Sequence, residues 1–159
     1  MDTLLDLLNS RPLVNGEEQD VLGDPAGGRR WAREHGGEGS IEELALLRET
    51  RDILRDVVRG ERPPTALGPL LEGVHQVPEI TSEGLRWTVT TPPHVRLAVE
   101  AVLAWAATEQ DMPGRLRPCA NDKCQLFLLD RSRANRARWC SMALCGNREK
   151  ARRHYERSR

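Results

Sequence analysis

Apolar residues recur at helical spacing in three places along the chain. Leu4, Leu5, Leu7 and Leu8 form a short run that Asp2 can cap. Leu44, Leu47, Leu54, Val57 and Val58 fit one face of a helix that runs to about Arg59 and ends at Gly60. Its start, Ser40-Ile41-Glu42-Glu43, has the Ser-x-x-Glu form of a capping box. Arg48, Arg51, Asp52, Arg55, Asp56 and Arg59 fill the rest of that helix and read as solvated charge. Val95, Val99, Val102, Leu103 and Ala106 mark the apolar side of a third helix, opened by Pro92-Pro93. Asp24-Pro25 reads as an N-cap followed by Pro at the first helical position, opening a helix through Trp31 despite Gly27 and Gly28. Pro63-Pro64 breaks the chain, and Leu67 to Val74 reads as a further helix. Glu79-Ile80-Thr81 and Leu85-Arg86-Trp87-Thr88-Val89 flank Ser82-Glu83-Gly84, the pattern of a hairpin. The segment up to residue 114 is therefore mostly α with a small β-hairpin, and Pro113-Gly114 separates it from the C-terminal segment.

Charge divides the chain at the same place. The formal net charge is zero, but residues 1–114 carry −9 and residues 115–159 carry +9. An acidic domain of 1–114 joined to a basic module of 115–159 suggests that the module meets a polyanion. The alternative is that the two halves neutralise each other across an internal interface. Hydrophobic residues make up 38% of the chain, which argues against wholesale disorder. The stretch Ala101–Thr108 is too short to span a bilayer, and Asp2 and Asp6 without an early basic residue do not look like a secretory signal. The expectation is a cytoplasmic protein with no membrane partner.

All four cysteines lie in the basic module, as Cys119-x4-Cys124-x15-Cys140-x4-Cys145. Two pairs around a moderate loop are the sequence form of a tetrahedral zinc site. One Zn2+ per chain is expected; buried free cysteines, disulfides and an iron–sulfur cluster are the other readings. The Asn121-Asp122 turn would present the first pair, Gln125 to Leu129 reads as a strand, and Arg136 to Trp139 as its hairpin partner. Glu149 to Ser158 reads as a helix. Knuckle, hairpin and helix make a treble-clef-like zinc finger at the C-terminus. So small a segment buries little core, so metal supplies much of its folding energy. On that reading, losing a ligand unfolds the finger and leaves the N-terminal domain folded.

Catalytic constellations are absent: no Gly-rich phosphate loop, no His-Glu-x-x-His, no Gly-x-Ser-x-Gly. His35, His75 and His94 have no acid or thiol partner at helical spacing, so no enzyme is expected. Trp31, Trp87 and Trp105 read first as core. If the acidic domain senses a small-molecule effector, Trp31, Trp87 and His94 are the candidates to line its pocket. In the module, Arg131, Arg133, Arg136 and Arg138 precede Cys140, and Arg148, Lys150, Arg152, Arg153 and Arg157 lie on the last helix. They are the candidate DNA phosphate contacts. The competing role is docking an acidic protein partner, for instance in the transcription machinery.

The run Arg138-Trp139-Cys140-Ser141-Met142-Ala143-Leu144-Cys145-Gly146-Asn147-Arg148-Glu149-Lys150 closely resembles the CGNR zinc-finger family of bacterial proteins. Phe127-Leu128-Leu129-Asp130-Arg131-Ser132 and the pair Cys119/Cys124 are similar to the same pattern. Leu5-Asp6-Leu7-Leu8-Asn9-Ser10 resembles the opening Leu-Asp-Phe-Val-Asn-Thr of the ABATE domain, with Leu7 for the aromatic and Ser10 for Thr. The resemblance implies a DNA-binding finger behind a stress-response or ligand-sensing domain of transcription regulators.

Overall fold

The computed structural model describes residues 3–14 and 16–157, with the side chains of Arg153 and Arg157 also left outside the description. The expected Asp2 cap lies outside the described residues. Helix α1 (Thr3–Leu8) buries Leu4, Leu7 and Leu8. It packs on α3 (Ile41–Arg59) and α4 (Pro93–Asp111), which also pack on each other. Leu7, Leu8, Leu47, Leu54 and Leu97 are fully buried there, each contributing on the order of 2 kcal/mol by leaving water.

The helix ends follow the sequence. Asp24 caps α2 (Pro25–Glu34) by accepting from Gly27 N–H at 2.6 Å. The glycines inside α2 have a packing cause. A Cβ on Gly28 would stand 3.1 Å from Leu44 Cδ1, so the missing side chain lets α2 approach α3. Ser40 Oγ accepts from Glu43 N–H at 3.1 Å, half of the expected capping box. The Glu43 carboxylate reaches past Ser40 and accepts from Glu38 and Gly39 N–H, at 2.9 and 2.6 Å. Gly60 closes α3 in the left-handed conformation, φ 76°.

Four expectations are corrected. Arg51 and Arg55 are not solvated; they are 1% and 2% exposed. Arg51 stands four residues after Leu47 and seven after Leu44, on the buried stripe itself. Its guanidinium makes a two-pronged bond to Asp20, at 2.6 and 2.8 Å, and a third to Ser10 Oγ at 3.2 Å. The buried face of α4 comprises Leu97, Ala98, Val99, Ala101 and Val102, while Val95, Leu103 and Ala106 are half-buried. Residues 64–71 form a 3-10 helix, with Pro69 inside it lacking an N–H to donate. Trp87, expected in the core, is 55% exposed on a hairpin that stands in solvent.

That hairpin joins β3 (His75–Thr81) to β4 (Gly84–Thr90) through the two-residue turn Ser82-Glu83 and is longer than expected. A two-residue-per-strand pair, β1 (Leu13–Val14) with β2 (Glu17–Glu18), follows α1 and is marked in the sequence only by Asn15-Gly16. Beyond Gly114 come β5 (Leu116–Pro118), paired antiparallel with β6 (Phe127–Leu129), a π turn at Met142–Gly146, and α5 (Asn147–Arg157). About half of the chain is helical, with small antiparallel strand pairs.

Candidate metal centre and basic surface

The first two thiols come from one tight turn between β5 and β6. Cys119 N–H donates to Leu126 O at 2.8 Å, and Cys124 N–H to Asn121 O at 2.8 Å. Asn121 Oδ1 accepts from Lys123 N–H at 3.1 Å, the Asx turn expected of Asn-Asp. The second pair sits at a π turn whose first carbonyl, Ser141 O, accepts from both Cys145 and Gly146 N–H at 3.0 Å. Gly146 is buried, and a Cβ there would stand 2.8 Å from the end of the Met142 side chain and 3.3 Å from the Trp139 ring. The Gly after Cys145 therefore lets the turn close against Trp139. Cys140 N–H points at Cys119 Sγ, 3.5 Å away.

All four Sγ atoms lie within 4.8 Å of one another, and Cys140 Sγ is 3.7 Å from those of Cys124 and Cys145. A disulfide needs about 2.05 Å, so these are free thiols. Four sulfurs at about 2.3 Å from a tetrahedral zinc are about 3.8 Å apart, so the donor set and its spacing suit that ion. Without a cation, burial pushes the Cys124 thiol up to about 11. Burial and the neighbouring Cys124 raise Cys140 as well. Burial also acts against Cys145, but hydrogen bonds from Asn121 and Cys124 outweigh it and its pKa falls.

The loop after β6 winds around one carboxylate. Asp130 Oδ1 accepts from Ser132 N–H at 2.9 Å, and Oδ2 from Ala137 N–H and Arg117 Nη2, both at 2.7 Å. The bonds from Ser132, then those from Ala137 and the Arg117 charge, hold the Asp130 carboxyl at about 2 against its burial. Arg117 also donates to Ala137 O at 2.7 Å. This corrects the expected pairing of Arg136–Trp139 with the strand at 125–129. Asp130 holds that return segment as a loop, and β6 takes β5 as its partner instead.

The basic residues gather around the same knuckle. Lys123, Arg148 and Arg152 border a cleft of about 270 Å3, with Asp122 and Glu149 among them. Arg117, Arg136 and Arg138 border a broader groove on the other side of Ala120. Arg131, Arg133, Arg136, Arg138, Arg148, Lys150 and Arg152 are all exposed. Arg152 is paired with Glu149 at 3.0 Å, and Arg138 lies over the Trp139 ring at 5.3 Å. Arg153 and Arg157 have side chains outside the described residues.

The finger is joined to the helical core by residues to which the sequence analysis gave no such role. Phe127 is 1% exposed and, with Leu116, belongs to the core of the helices. Asn9 Nδ2 donates to Phe127 O at 3.2 Å, and Phe127 N–H donates to Asn9 Oδ1 at 2.7 Å. Arg55 donates to Leu8 O at 2.8 Å and to Gln125 O at 3.2 Å, one residue from Cys124. Burial, then the charges of Arg59 and Arg11, pull the Arg55 pKa down to about 10. The guanidinium groups of Arg55 and Arg59 stand 5.3 and 5.1 Å from the Phe127 ring centre. Each polar residue of Leu5-Asp6-Leu7-Leu8-Asn9-Ser10 thus has a partner: Asp6 His35, Asn9 Phe127, and Ser10 Arg51.

The three candidates for an effector pocket fall in different settings. Trp31 is buried and stacks on His35, ring centres 3.9 Å apart, while His35 bonds Asp6 at 3.2 Å. Trp87 and His94 are exposed, and none of the three borders the clefts around the knuckle or the groove along α2. No helix among the described residues is long and apolar enough to cross a membrane.

Comparison with known families gives two matches. Residues 2–122 match ABATE, described as "Putative stress-induced transcription regulator", and residues 115–158 match the CGNR zinc finger. The two matches overlap over residues 115–122, which hold β5 and Cys119. No curated protein matches the chain.

Proposed function

Because the chain belongs to the ABATE family and ends in a CGNR zinc finger, we propose that it is a zinc-dependent, DNA-binding transcription regulator. The observation that carries this reading is a four-cysteine cluster whose first knuckle is bordered on two sides by clefts lined with arginines. Zinc held by Cys119, Cys124, Cys140 and Cys145 would be structural, since four protein ligands leave no open position for chemistry. Arg133, Arg136, Arg138, Arg148 and Lys150 are the side chains assigned to phosphates, and Arg131, Arg152, Arg153 and Arg157 remain further candidates. A small-molecule effector acting through the helical domain belongs to the same reading, since Asn9 and Arg55 give that domain a rigid hold on the finger.

The test is a salt titration of the full-length, zinc-loaded protein against duplex DNA. Engagement of about five phosphates gives a slope of log K on log salt near −4.5. Arg136→Ala with Arg138→Ala weakens binding across sequences and flattens the slope. Absence of binding at low salt refutes the reading.

A second reading is favoured by Met142 and Leu144, which are 55% and 57% exposed on the finger. Apolar side chains amid positive charge suit an acidic protein surface better than a duplex. There the finger is an adaptor to the transcription machinery. Met142→Ser with Leu144→Ser then abolishes partner binding and leaves DNA affinity unchanged.

A further inference from the structure

The β3–β4 hairpin has an unusual distribution of side chains. Cross-strand partners share a face, and successive residues alternate between faces. Ile80 pairs with Leu85, Pro78 with Trp87 and Gln76 with Val89. These six share one face, and none is charged. His75, Glu79 and Arg86 fall on the opposite face, where Thr88 Oγ1 donates to Glu79 at 3.0 Å. On the uncharged face Ile80 is 85% exposed, Leu85 59% and Trp87 55%. A two-stranded hairpin with nothing packed on its apolar face is marginal in water.

We propose that this face is a self-association surface, on which the hairpin of a second copy packs face to face. The absence of charge makes it self-complementary: two copies meet without opposing like charges. The alternatives fit less well. The face has no cation for nucleic acid, and its neighbours Glu79 and Glu83 do not suit anionic headgroups. A peptide strand would add along an edge, leaving Ile80 and Trp87 in water. Apposed sheets at about 10 Å let the two sets of side chains interdigitate. Two such faces bury less than the roughly 1,200 Å2 where stable specific interfaces begin, so the dimer is weak and concentration-dependent.

The experiment is sedimentation of the full-length, zinc-loaded protein over a concentration series. The mass moves from 17.9 kDa toward twice that value, with Kd on the order of 10–100 μM. Ile80→Lys and Trp87→Ser each weaken the dimer at least about tenfold, by introducing charge or removing apolar area. Ile41→Lys, at a 76% exposed position on α3, leaves it unchanged. Circular dichroism checks that each variant keeps its helices. A monomer at every concentration overturns the proposal, as does a dimer indifferent to both hairpin variants. Binding of a monomer to phosphatidylcholine vesicles, lost in Ile80→Lys, gives the face to a lipid surface and overturns it as well.

Discussion

Asn9 grips the backbone of Phe127 from a distance of 118 residues, its amide matching both the N–H and the carbonyl of that residue. The contact imitates one rung of a β-ladder with a side chain. Asn9→Ala leaves two backbone groups without a partner beside the core, at a cost of about 2–4 kcal/mol. Denaturant unfolding checks this, with Glu49→Ala as an exposed control that changes stability by less than about 0.5 kcal/mol.

Metal removal reaches further than a separate finger would allow. Phe127 and Leu116 lie in the helical core, and Gln125, next to Cys124, accepts from buried Arg55. Cys124→Ser, or chelation of the intact protein, therefore lowers hydrogen-exchange protection in α1 and α3 as well as in residues 116–150. Unchanged protection in those helices restores the independent finger.

The Arg51–Asp20 pair anchors the loop after β2 to the middle of α3. Asp20→Asn leaves a buried guanidinium with Asp52, at 3.0 Å, as its remaining acidic partner and costs about 2 kcal/mol at neutral pH, reduced by the partial exposure of Asp20. The Asp20 pKa is lowered; burial opposes this, but the bonds and charge of Arg51 prevail. A depressed acid contributes stability above its unfolded pKa of 3.8 and loses it as pH falls through the folded value. The stability gap between wild type and Asp20→Asn is constant above about pH 5 and closes below 3.8.

Cation uptake also carries a proton signature. Cys124, at about 11, and Cys140, also raised, are thiols at neutral pH, and zinc binds thiolates. Adding zinc to the metal-free protein at pH 7 releases at least two protons per ion, measured with an indicator dye in weak buffer. Affinity rises with pH for the same reason.

The pairing of the cysteines into one cluster and the helix ends are legible in the sequence because each depends on near neighbours. The Cys-x4-Cys spacing, the Asp24-Pro25 start and the Ser40 cap involve residues at most five apart. The corrections come from long-range partners. Arg51 and Arg55 look like surface residues until Asp20, Ser10, Leu8 and Gln125 are known to face them. Trp87 has the composition of a core residue, but its hairpin leaves the body. Periodicity alone returns Arg136–Trp139 toward the strand; a single acid, Asp130, captures that segment with bonds no pattern displays.

The position of Phe127 also fixes an order of events during synthesis. Helices α1 to α4 leave the ribosome first, yet the side chain that completes their core is residue 127 of 159. Until it arrives, the nascent helices hold an open apolar seat, Asn9 lacks the backbone it grips, and Arg55 holds Leu8 O without Gln125. Vectorial folding of the N-terminal part is held back until the knuckle emerges. Closure of the core then coincides with the gathering of the cysteine pairs, so on the zinc reading the supply of metal at the moment of translation bears on the yield of the whole chain.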